Sequence, residues 1–394
     1  MKKMMKGKMP SVGVEGHWSA DKFSDNVLQD ALIRHALGLT YLQMADVGEV
    51  LETVAKFKAG KEWIDAWSEM ASTLEKRAEN SNSNMTKESA YLRASTYWRI
   101  SLMYFNSIDD DRLSQYSKNS LDCYHKYLEV SDFPGEYVEI PYEDSYLPAH
   151  YYQSPVAADN APLMILTPGR DTFAEDTAWV YRQALKRGIN CLVYDGPGQG
   201  FALRINGITF RHDIENVITP IIDYCLENFE GIDEENIILF GISFGGFLVP
   251  RAAIYDERVR MCIVDPGNAN WGGAFAKRLE MIQKMPKEVR PAQLDFMLED
   301  YIYKHGATSE TICDELRKFD NTDIIKDLDC LTIVMDGTSE MTQGEAKVFY
   351  DMLECEKEYL LFDEDSGSQM HAQMGGYATA SEMLLDLVEK HLIQ

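Results

Sequence analysis

The chain has 394 residues, of which 45% are hydrophobic, enough to build one large globular domain or two smaller ones. Its formal net charge of -26 repels phosphate backbones and anionic lipid surfaces, so we expect no nucleic-acid partner and no membrane association. The seven cysteines include no C-x-x-C pair and no Cys/His cluster at metal-ligand spacing, so we expect neither a disulfide framework nor a bound metal.

The N-terminal stretch of residues 1–6 is basic, like the start of a secretion signal. No apolar segment of the required length follows it, and no long apolar run occurs elsewhere in the sequence. Together with the scattered cysteines, these observations predict a cytoplasmic protein.

From about residue 24 to 130 the sequence is helix-like, with apolar residues at spacings of three and four and few strand signals. Breaks are expected near Gly60 and in the polar stretch 79–84. We interpret residues 1–132 as an N-terminal helical cap domain. Its aromatic residues suit a helical core and could also line a binding cavity: Trp63, Trp67, Tyr91, Tyr97, Trp98, Tyr104 and Phe105.

After Pro134 the pattern changes to alternation, which predicts an antiparallel hairpin over 137–140 and 147–152 at a sheet edge. Short apolar strands then alternate with helical segments. This order predicts an α/β fold with a mostly parallel central sheet and helices on both faces. The predicted strands are 163–166, 190–194, 237–240, 261–264, 331–335 and 359–362.

Between Asp265 and Asp329 lies a segment that is too long for a simple crossover between two strands. Helical patterns occur in it at 275–285 and 294–303. We therefore predict a helical lid insertion at about 266–328, within a catalytic domain of residues 133–394.

The motif G-I-S-F-G at 241–245 follows the predicted strand 237–240 and precedes a helix-like stretch. A G-x-S-x-G motif between a strand and a helix is typical of a nucleophile elbow, in which a strained turn exposes the serine and the glycines permit close packing. The motif alone is frequent by chance. Its position predicts that Ser243 is a catalytic nucleophile.

The acid and the base should follow in the chain order nucleophile, acid, base. Of the eight histidines, only His371 and His391 lie after the acid candidates, and His391 falls in the closing helix. His371 follows a predicted strand, where open parallel sheets build their sites. We predict that His371 is the base.

The acid has three candidates. Glu340 stands three residues after Gly337, the spacing at which α/β-hydrolases usually carry this carboxylate. Asp336 is the commoner residue type but lies at the strand end itself, and Asp265 follows the preceding strand. We favour Glu340, keep Asp336 as the alternative, and rank Asp265 third.

Two loops bear on the oxyanion hole. The loop 167–171 follows the first central strand, where α/β-hydrolases place one oxyanion-hole amide, and the second amide comes from the residue after the serine. The predicted residues are Phe244, Arg170 and Gly169.

The D-G-P-G-Q-G turn at 195–200 fits neither a phosphate loop nor a dinucleotide fingerprint, because no Lys-Ser/Thr follows it and its glycines have the wrong register.

With the helical N-terminal region, the 169–171 loop, D-G-P-G-Q-G, G-I-S-F-G and His371 in this order, the chain resembles a family of α/β-hydrolases. The family includes 2,6-dihydroxypseudooxynicotine hydrolase, the fungal Ayg1-like polyketide-shortening hydrolases and the FrsA-like proteins. The segment Y-L-R-A-S-T-Y-W-R at 91–99 is similar to the family's N-terminal helical region. The resemblance implies an α/β-hydrolase fold, a Ser-acid-His triad under a helical cap, and cleavage of carbon-carbon bonds next to ketones in aromatic or polyketide substrates.

We therefore expect a serine hydrolase that acts on a small molecule without a cofactor. A carboxylesterase or peptidase-like hydrolase stays open, as does a non-catalytic binding or regulatory protein on the same scaffold. A homodimer is also left open. Substrate contacts are expected from Asp171, Tyr97, Trp98 and Trp271.

Overall fold

The computed structural model describes residues 22–105 and 107–392, so the basic N-terminal stretch lies outside the described part. The region expected to be helical is helical. Asn26 and Asp46 begin its first two helices by accepting hydrogen bonds from amides of the first turn. Two interruptions, one at 39–46 and one between Leu102 and Arg112, are not predicted from the sequence. The helices are α1 (Val27–Gly38), α2 (Val47–Lys58), α3 (Trp63–Glu79), α4 (Asn84–Leu102) and α5 (Arg112–Val130).

The strands of the described chain form one eight-stranded sheet in the order β1-β2-β4-β3-β5-β6-β7-β8. The hairpin of β1 and β2 pairs antiparallel at one edge, β2 is antiparallel to β4, and the remaining pairs are parallel. The predicted sheet is confirmed. Its strands are β1 (Glu136–Tyr142), β2 (Ser145–Tyr152), β3 (Ala161–Thr167), β4 (Asn190–Tyr194), β5 (Ile232–Ile242), β6 (Val259–Asp265), β7 (Leu331–Gly337) and β8 (Lys357–Phe362).

Helices cover both faces of the sheet, and the segment between β6 and β7 carries three of them, α10 to α12 in the list below. None of the described helices is both long and apolar enough to cross a bilayer. The later helices are α6 (Ala178–Ala184), α7 (Gly200–Arg204), α8 (Glu215–Asn228), α9 (Gly245–Tyr255), α10 (Trp271–Lys284), α11 (Ala292–Lys304), α12 (Ile312–Arg317), α13 (Glu345–Met352) and α14 (Tyr377–Leu392).

Two large apolar clusters lie on opposite faces of the sheet, because successive strand residues point to opposite sides. One cluster joins the N-terminal helices and α14 to the sheet, and it includes Trp67, Phe240 and Leu384. The other lies under α8 and α9. The insertion has a smaller cluster of its own, around Leu279 and Leu316. The N-terminal helices thus share a core with the sheet, whereas the insertion packs largely on itself.

Candidate active site

Ser243 lies in a sharp turn between β5 and α9. Its backbone has φ 55, in the left-handed region that costs a non-glycine residue about 1–3 kcal/mol. Neither neighbouring glycine tolerates a side chain. A Cβ on Gly241 would lie 2.1 Å from the Gly245 carbonyl oxygen, and one on Gly245 would lie 2.3 Å from that of Thr167. The strained turn and the need for both glycines are as the motif predicts.

A chain of hydrogen bonds joins three side chains at this turn. Ser243 Oγ lies 2.8 Å from His371 Nε2, and His371 Nδ1 lies 2.6 Å from Glu340 Oε1. The same carboxylate oxygen accepts a hydrogen bond of 2.7 Å from the Met341 amide. The structure therefore brings together the residues that the sequence suggests as nucleophile, base and favoured acid.

Contact between the loops after β7 and β8 accounts for this meeting. The Ser339 amide donates to the Gln369 carbonyl at 3.0 Å. A Cβ on Gly337 would lie 2.2 Å from the same carbonyl oxygen, so the glycine permits the close approach. Glu340 and His371 follow directly on the two touching segments. Their proximity depends on the pairing of the loops and not on sequence distance.

Asp336 is engaged elsewhere. Its Oδ2 accepts a hydrogen bond of 2.5 Å from the Tyr359 hydroxyl, and its Oδ1 accepts one of 2.8 Å from the Gly337 amide. Burial raises the pKa of Asp336 above its usual value. Among the acid candidates, Glu340 is the residue in hydrogen-bond contact with His371.

Asp265 lies beneath the serine turn. Its backbone carbonyl accepts a 2.5 Å hydrogen bond from the Ser243 amide, and its carboxyl group is fully buried with neither oxygen in hydrogen-bond contact with a described residue. Burial raises the pKa of Asp265 to about 7. This third acid candidate contributes its backbone to the turn.

His371 and Glu340 shift each other's pKa. Burial lowers the pKa of His371, but the charge and hydrogen bond of Glu340 outweigh it and hold that pKa above its usual value. For Glu340, burial raises the pKa, and His371 outweighs that effect and holds the value below its usual range. The carboxylate thus stays ionised while the imidazole titrates.

Gly169 lies against the serine, since a Cβ on it would be 3.1 Å from Ser243 Cβ. Its amide, however, donates to Thr172 Oγ1 at 3.0 Å. The Gly169 amide is therefore paired within its own loop, and its role as an oxyanion donor stays a prediction. The close approach to Ser243 favours a residue without a side chain at this position.

The amides of Arg170 and Phe244 have no hydrogen-bond acceptor within the described residues. One belongs to the loop after β3 and the other follows the serine, which are the two positions expected for oxyanion-hole amides. Both remain available to an oxygen at Ser243.

Two polar residues of the D-G-P-G-Q-G turn contact the segment after β3, residues 168–174, which we call the oxyanion loop. Gln199 Nε2 donates to the carbonyls of Pro168 at 2.6 Å and Gly169 at 3.2 Å. Asp195 Oδ1 accepts from the Ala174 amide at 2.8 Å. These roles are not predicted from the sequence, although a carboxylate and an amide directly after an apolar strand are the signal that could have indicated them.

Arg99 of α4 supports the end of the same loop through Asp176. The side chain is fully buried, and its Nε donates to Asp176 Oδ1 at 3.0 Å. Asp176 Oδ2 accepts from the Phe173 amide at 3.1 Å. Burial raises the pKa of Asp176, but Arg99 outweighs it and keeps the carboxylate ionised. This support belongs to the 91–99 segment that carries the family resemblance, but its role is not predicted from the sequence.

Tyr97 and Trp98 pack within the N-terminal helices. The Tyr97 hydroxyl donates to Glu49 at 3.0 Å, and its ring centroid lies 5.6 Å from that of Trp67. Trp98 packs on Tyr116 with a centroid distance of 4.6 Å. Both side chains are thus engaged in the helical core, where Tyr97 is fully buried. Their contact with a substrate stays a prediction.

Trp271 and Asp171 lie closer to the serine turn. The Trp271 ring is 4.1 Å from that of Phe244, centroid to centroid. Asp171 forms ion pairs with Lys304 of α11 and with Arg170 at 3.1 Å. Trp271 thus lies where the insertion meets the serine turn, and Asp171 lies where the insertion meets the loop after β3.

A cavity of about 390 Å³ adjoins the histidine. It lies between α1 and the loops after β7 and β8. A larger groove of about 500 Å³ lies near residues 257–260, at the amino ends of the strands and away from Ser243. The cavity beside the histidine is lined by Val27, Ala31, Met341, Met370, His371 and Met374, among others.

Residues 42–319, more than half of the chain, match the FrsA-like esterase family. The chain belongs to the FrsA-like esterase family. The resemblance to α/β-hydrolases is confirmed.

Fungal hydrolases are among the relatives of this FrsA-like esterase. It is 32% identical over 244 residues to 20-hydroxy-prefusarin hydrolase FUS2 of Gibberella moniliformis, covering 58% of this chain and 57% of that protein. It is 34% identical over 243 residues to hydrolase acrC of Aspergillus aculeatus, covering 56% of each. The matches span less than two thirds of the length of these relatives.

Two solved structures share the fold. The 2,6-dihydroxy-pseudo-oxynicotine hydrolase superposes with a TM-score of 0.70 at 17% identity, covering 89% of this chain and 95% of that one. AbyA5 superposes with a TM-score of 0.63 at 14% identity, covering 83% and 88%. At these identities the likeness concerns the α/β-hydrolase fold.

Proposed function

We propose that this FrsA-like esterase is a serine hydrolase in which Ser243 is the nucleophile, His371 the general base and Glu340 the acid that orients the imidazole. One observation carries the proposal: the continuous hydrogen bonds from Ser243 Oγ through His371 to Glu340, at 2.8 and 2.6 Å. A nucleophile, a base within hydrogen-bond reach and a carboxylate on the far ring nitrogen are the parts that acyl transfer requires.

In the proposed reaction, His371 takes the Ser243 proton and the alkoxide attacks a substrate carbonyl. The resulting oxyanion accepts hydrogen bonds from the Phe244 and Arg170 amides. Two preorganised backbone donors can lower the barrier by several kcal/mol. The protonated His371 then protonates the leaving group, and it later activates the water that releases the acyl group.

For the substrate, we propose a small aromatic or polyketide-like molecule in which a carbon-carbon bond next to a ketone is hydrolysed. The resemblance to carbon-carbon hydrolases supports this class, as does a relative that is a hydrolase of 20-hydroxy-prefusarin. The leaving group would be an enolate that receives its proton from His371. The esterase description of the family supports ester hydrolysis as the second candidate.

The test begins with an activated fluorophosphonate, which modifies a serine only when a base activates it. We expect labelling of the wild-type enzyme and none of Ser243→Ala, with turnover lost in the same variant. A screen of 1,3-diketones against p-nitrophenyl esters then separates the two substrate classes. A Ser243→Ala enzyme with wild-type turnover would refute the nucleophile.

The acid is tested with two matched variants. Glu340→Gln should reduce turnover by orders of magnitude, since the imidazole loses its partner. Asp336→Asn is the control, because Asp336 contacts Tyr359 and the Gly337 amide instead. The opposite ranking of the two variants would assign the role to Asp336.

A further inference from the structure

The guanidinium group of Arg170 is held on one edge and free on the other. Nη1 forms an ion pair with Asp300 at 2.7 Å and donates to Asp171 at 3.1 Å, and the Tyr301 ring lies 3.9 Å from the central carbon. The side chain is only 10% exposed. Its Nε and Nη2 are buried and have no hydrogen-bond partner within the described structure.

The unpaired Nε and Nη2 donors can together bind a specific arrangement of ligand atoms. Nε–H and the adjacent Nη2–H of an arginine point in the same direction, which matches two oxygen atoms in one plane. Buried donors of this kind are normally paired with protein, water or a ligand. Asp300 and Tyr301 fix the guanidinium plane, so the fork is presented in one orientation.

The fork belongs to the loop beside the nucleophile. Arg170 follows Gly169, and a Cβ on Gly169 would lie 3.5 Å from Ser243 Oγ. The next residue, Asp171, has 37% of its side chain accessible and lies 3.1 Å from Arg170 Nη1. Accessible space therefore adjoins the guanidinium.

The Asp171 carboxylate also acts on the histidine. Burial lowers the pKa of His371, Glu340 outweighs that effect, and Asp171 is close enough to raise the pKa further. The Arg170 fork and the reacting groups therefore border one region of the enzyme.

We propose that the Nε–Nη2 edge of Arg170 binds a planar pair of oxygens on the substrate, either a carboxylate or the enolate of a 1,3-dicarbonyl. The proposal rests on the proposed function only in placing the substrate beside Ser243. It makes Arg170 a specificity-determining residue, since a substrate with two such oxygens pairs both buried donors and a neutral substrate with one oxygen leaves a donor unpaired. Before Ser243 can add to a 1,3-diketone bound in this way, a proton from solvent must restore the keto form at the carbon between the carbonyls. The attacked oxygen then lies at the Phe244 and Arg170 amides.

Binding is measured by calorimetry in the Ser243→Ala enzyme, so that the result does not depend on which residue is the nucleophile. The probes are benzoylacetone at a pH where it is an enolate, phenylacetate as the carboxylate, and acetophenone as the neutral one-oxygen control. We expect the two-oxygen probes to bind more tightly than acetophenone. Comparison of benzoylacetone with phenylacetate identifies the preferred group.

In the same background, Arg170→Lys keeps the charge but lacks the fork, and Arg170→Met removes both. We expect the Kd of the preferred probe to rise about tenfold or more with lysine and further with methionine, because a forked charged pair is lost. The acetophenone Kd should change little. Asp300→Asn is the matched control, since it weakens the anchor and keeps the fork, so its effect should be smaller than that of Arg170→Lys.

Equal weakening of all three probes would overturn the proposal, as would unchanged binding of the two-oxygen probes in Arg170→Lys. Thermal unfolding of each variant shows whether it is folded. A folded Arg170→Lys enzyme suffices for the decision if Arg170→Met does not fold. Residual turnover of Ser243→Ala would instead count against the proposed function and leave the binding result standing.

Discussion

The two helical regions that flank the sheet are attached to it in different ways. The N-terminal helices α1 to α5 share a continuous apolar cluster with one face of the sheet, to which α14 also contributes. The insertion helices α10 to α12 have a small cluster of their own. Asp300 and Lys304 of α11 join the insertion to the oxyanion loop by ion pairs with Arg170 and Asp171.

These two kinds of attachment predict different effects on the stability of the fold and on the geometry of the site. Apolar burial is proportional to area, so a large shared core contributes to the stability of the whole fold. A few buried charge pairs add little net stability but fix geometry. We therefore expect damage to the N-terminal region to appear as unfolding, and damage to the insertion contacts to appear as altered catalysis.

The largest effect should come from deletion. A chain that starts at Phe133 loses half of the shared cluster and should not fold. By contrast, Ala269 and Asn321 are already joined by a 2.7 Å backbone hydrogen bond, so residues 270–320 can be replaced by a short glycine-rich linker with the sheet retained. Circular dichroism and thermal unfolding compare the two. A folded, soluble chain that starts at Phe133 would show that the helices are an independent cap.

Arg99→Met tests the N-terminal side with one side chain. It leaves Asp176 buried without its strongest partner, so the free energy of unfolding should fall by about 3–5 kcal/mol. Urea unfolding gives the value. Arg99→Met combined with Asp176→Asn is the control, and it should recover part of the loss because no unpaired charge remains. A change below about 1 kcal/mol in the single variant would contradict the supporting role.

Lys304→Met tests the insertion side. Asp171 keeps Arg170 as a partner at 3.1 Å and is partly accessible, so stability should fall less than in Arg99→Met. Because the oxyanion loop loses a contact with α11, kcat/KM should fall by about ten- to hundredfold. Steady-state kinetics beside urea unfolding separate the two effects. A stability loss as large as that of Arg99→Met with unchanged kinetics would reverse the comparison.

The smallest effect concerns pH. A general base must be neutral, so kcat/KM should rise with pH through the pKa of His371. Burial lowers that pKa, but Glu340 holds it above its usual value and Asp171 adds to the increase. Lys304→Met leaves Asp171 less compensated, so the rising limb should move to higher pH by a fraction of a unit. Arg99→Met should leave the pH of the rising limb unchanged. A shift of that limb to lower pH in Lys304→Met would contradict the charge argument.

The central strands are predictable because they are buried on both faces and are therefore apolar throughout. The prediction 237–240 is shorter than β5, since residues 233–236 are polar and extend the strand beyond its buried part. The helix break at 39–46 is not predicted, because it contains no proline. In the structure, Gln43 ends a 3-10 turn there with φ 62.

For the candidate site, chain order and spacing point to Ser243 and His371 and favour Glu340 over Asp336. The sequence alone leaves the alternative acid open, because the choice depends on which carboxylate the loops after β7 and β8 bring to the imidazole. Arg99 and Asp176 are 77 residues apart, and neither segment contains a pattern that predicts the other as its partner. Contacts between distant elements are therefore the part that local patterns do not contain.

His35 Nδ1 of α1 lies 2.6 Å from the Tyr377 hydroxyl of α14, across a sequence separation of 342 residues. A ribosome adding about 5–20 residues per second needs about 17–70 s to make the intervening chain. Until α14 emerges, the apolar faces of the early helices lack part of their partner surface. We therefore expect the yield of folded protein to depend on how long these apolar faces stay uncovered during synthesis.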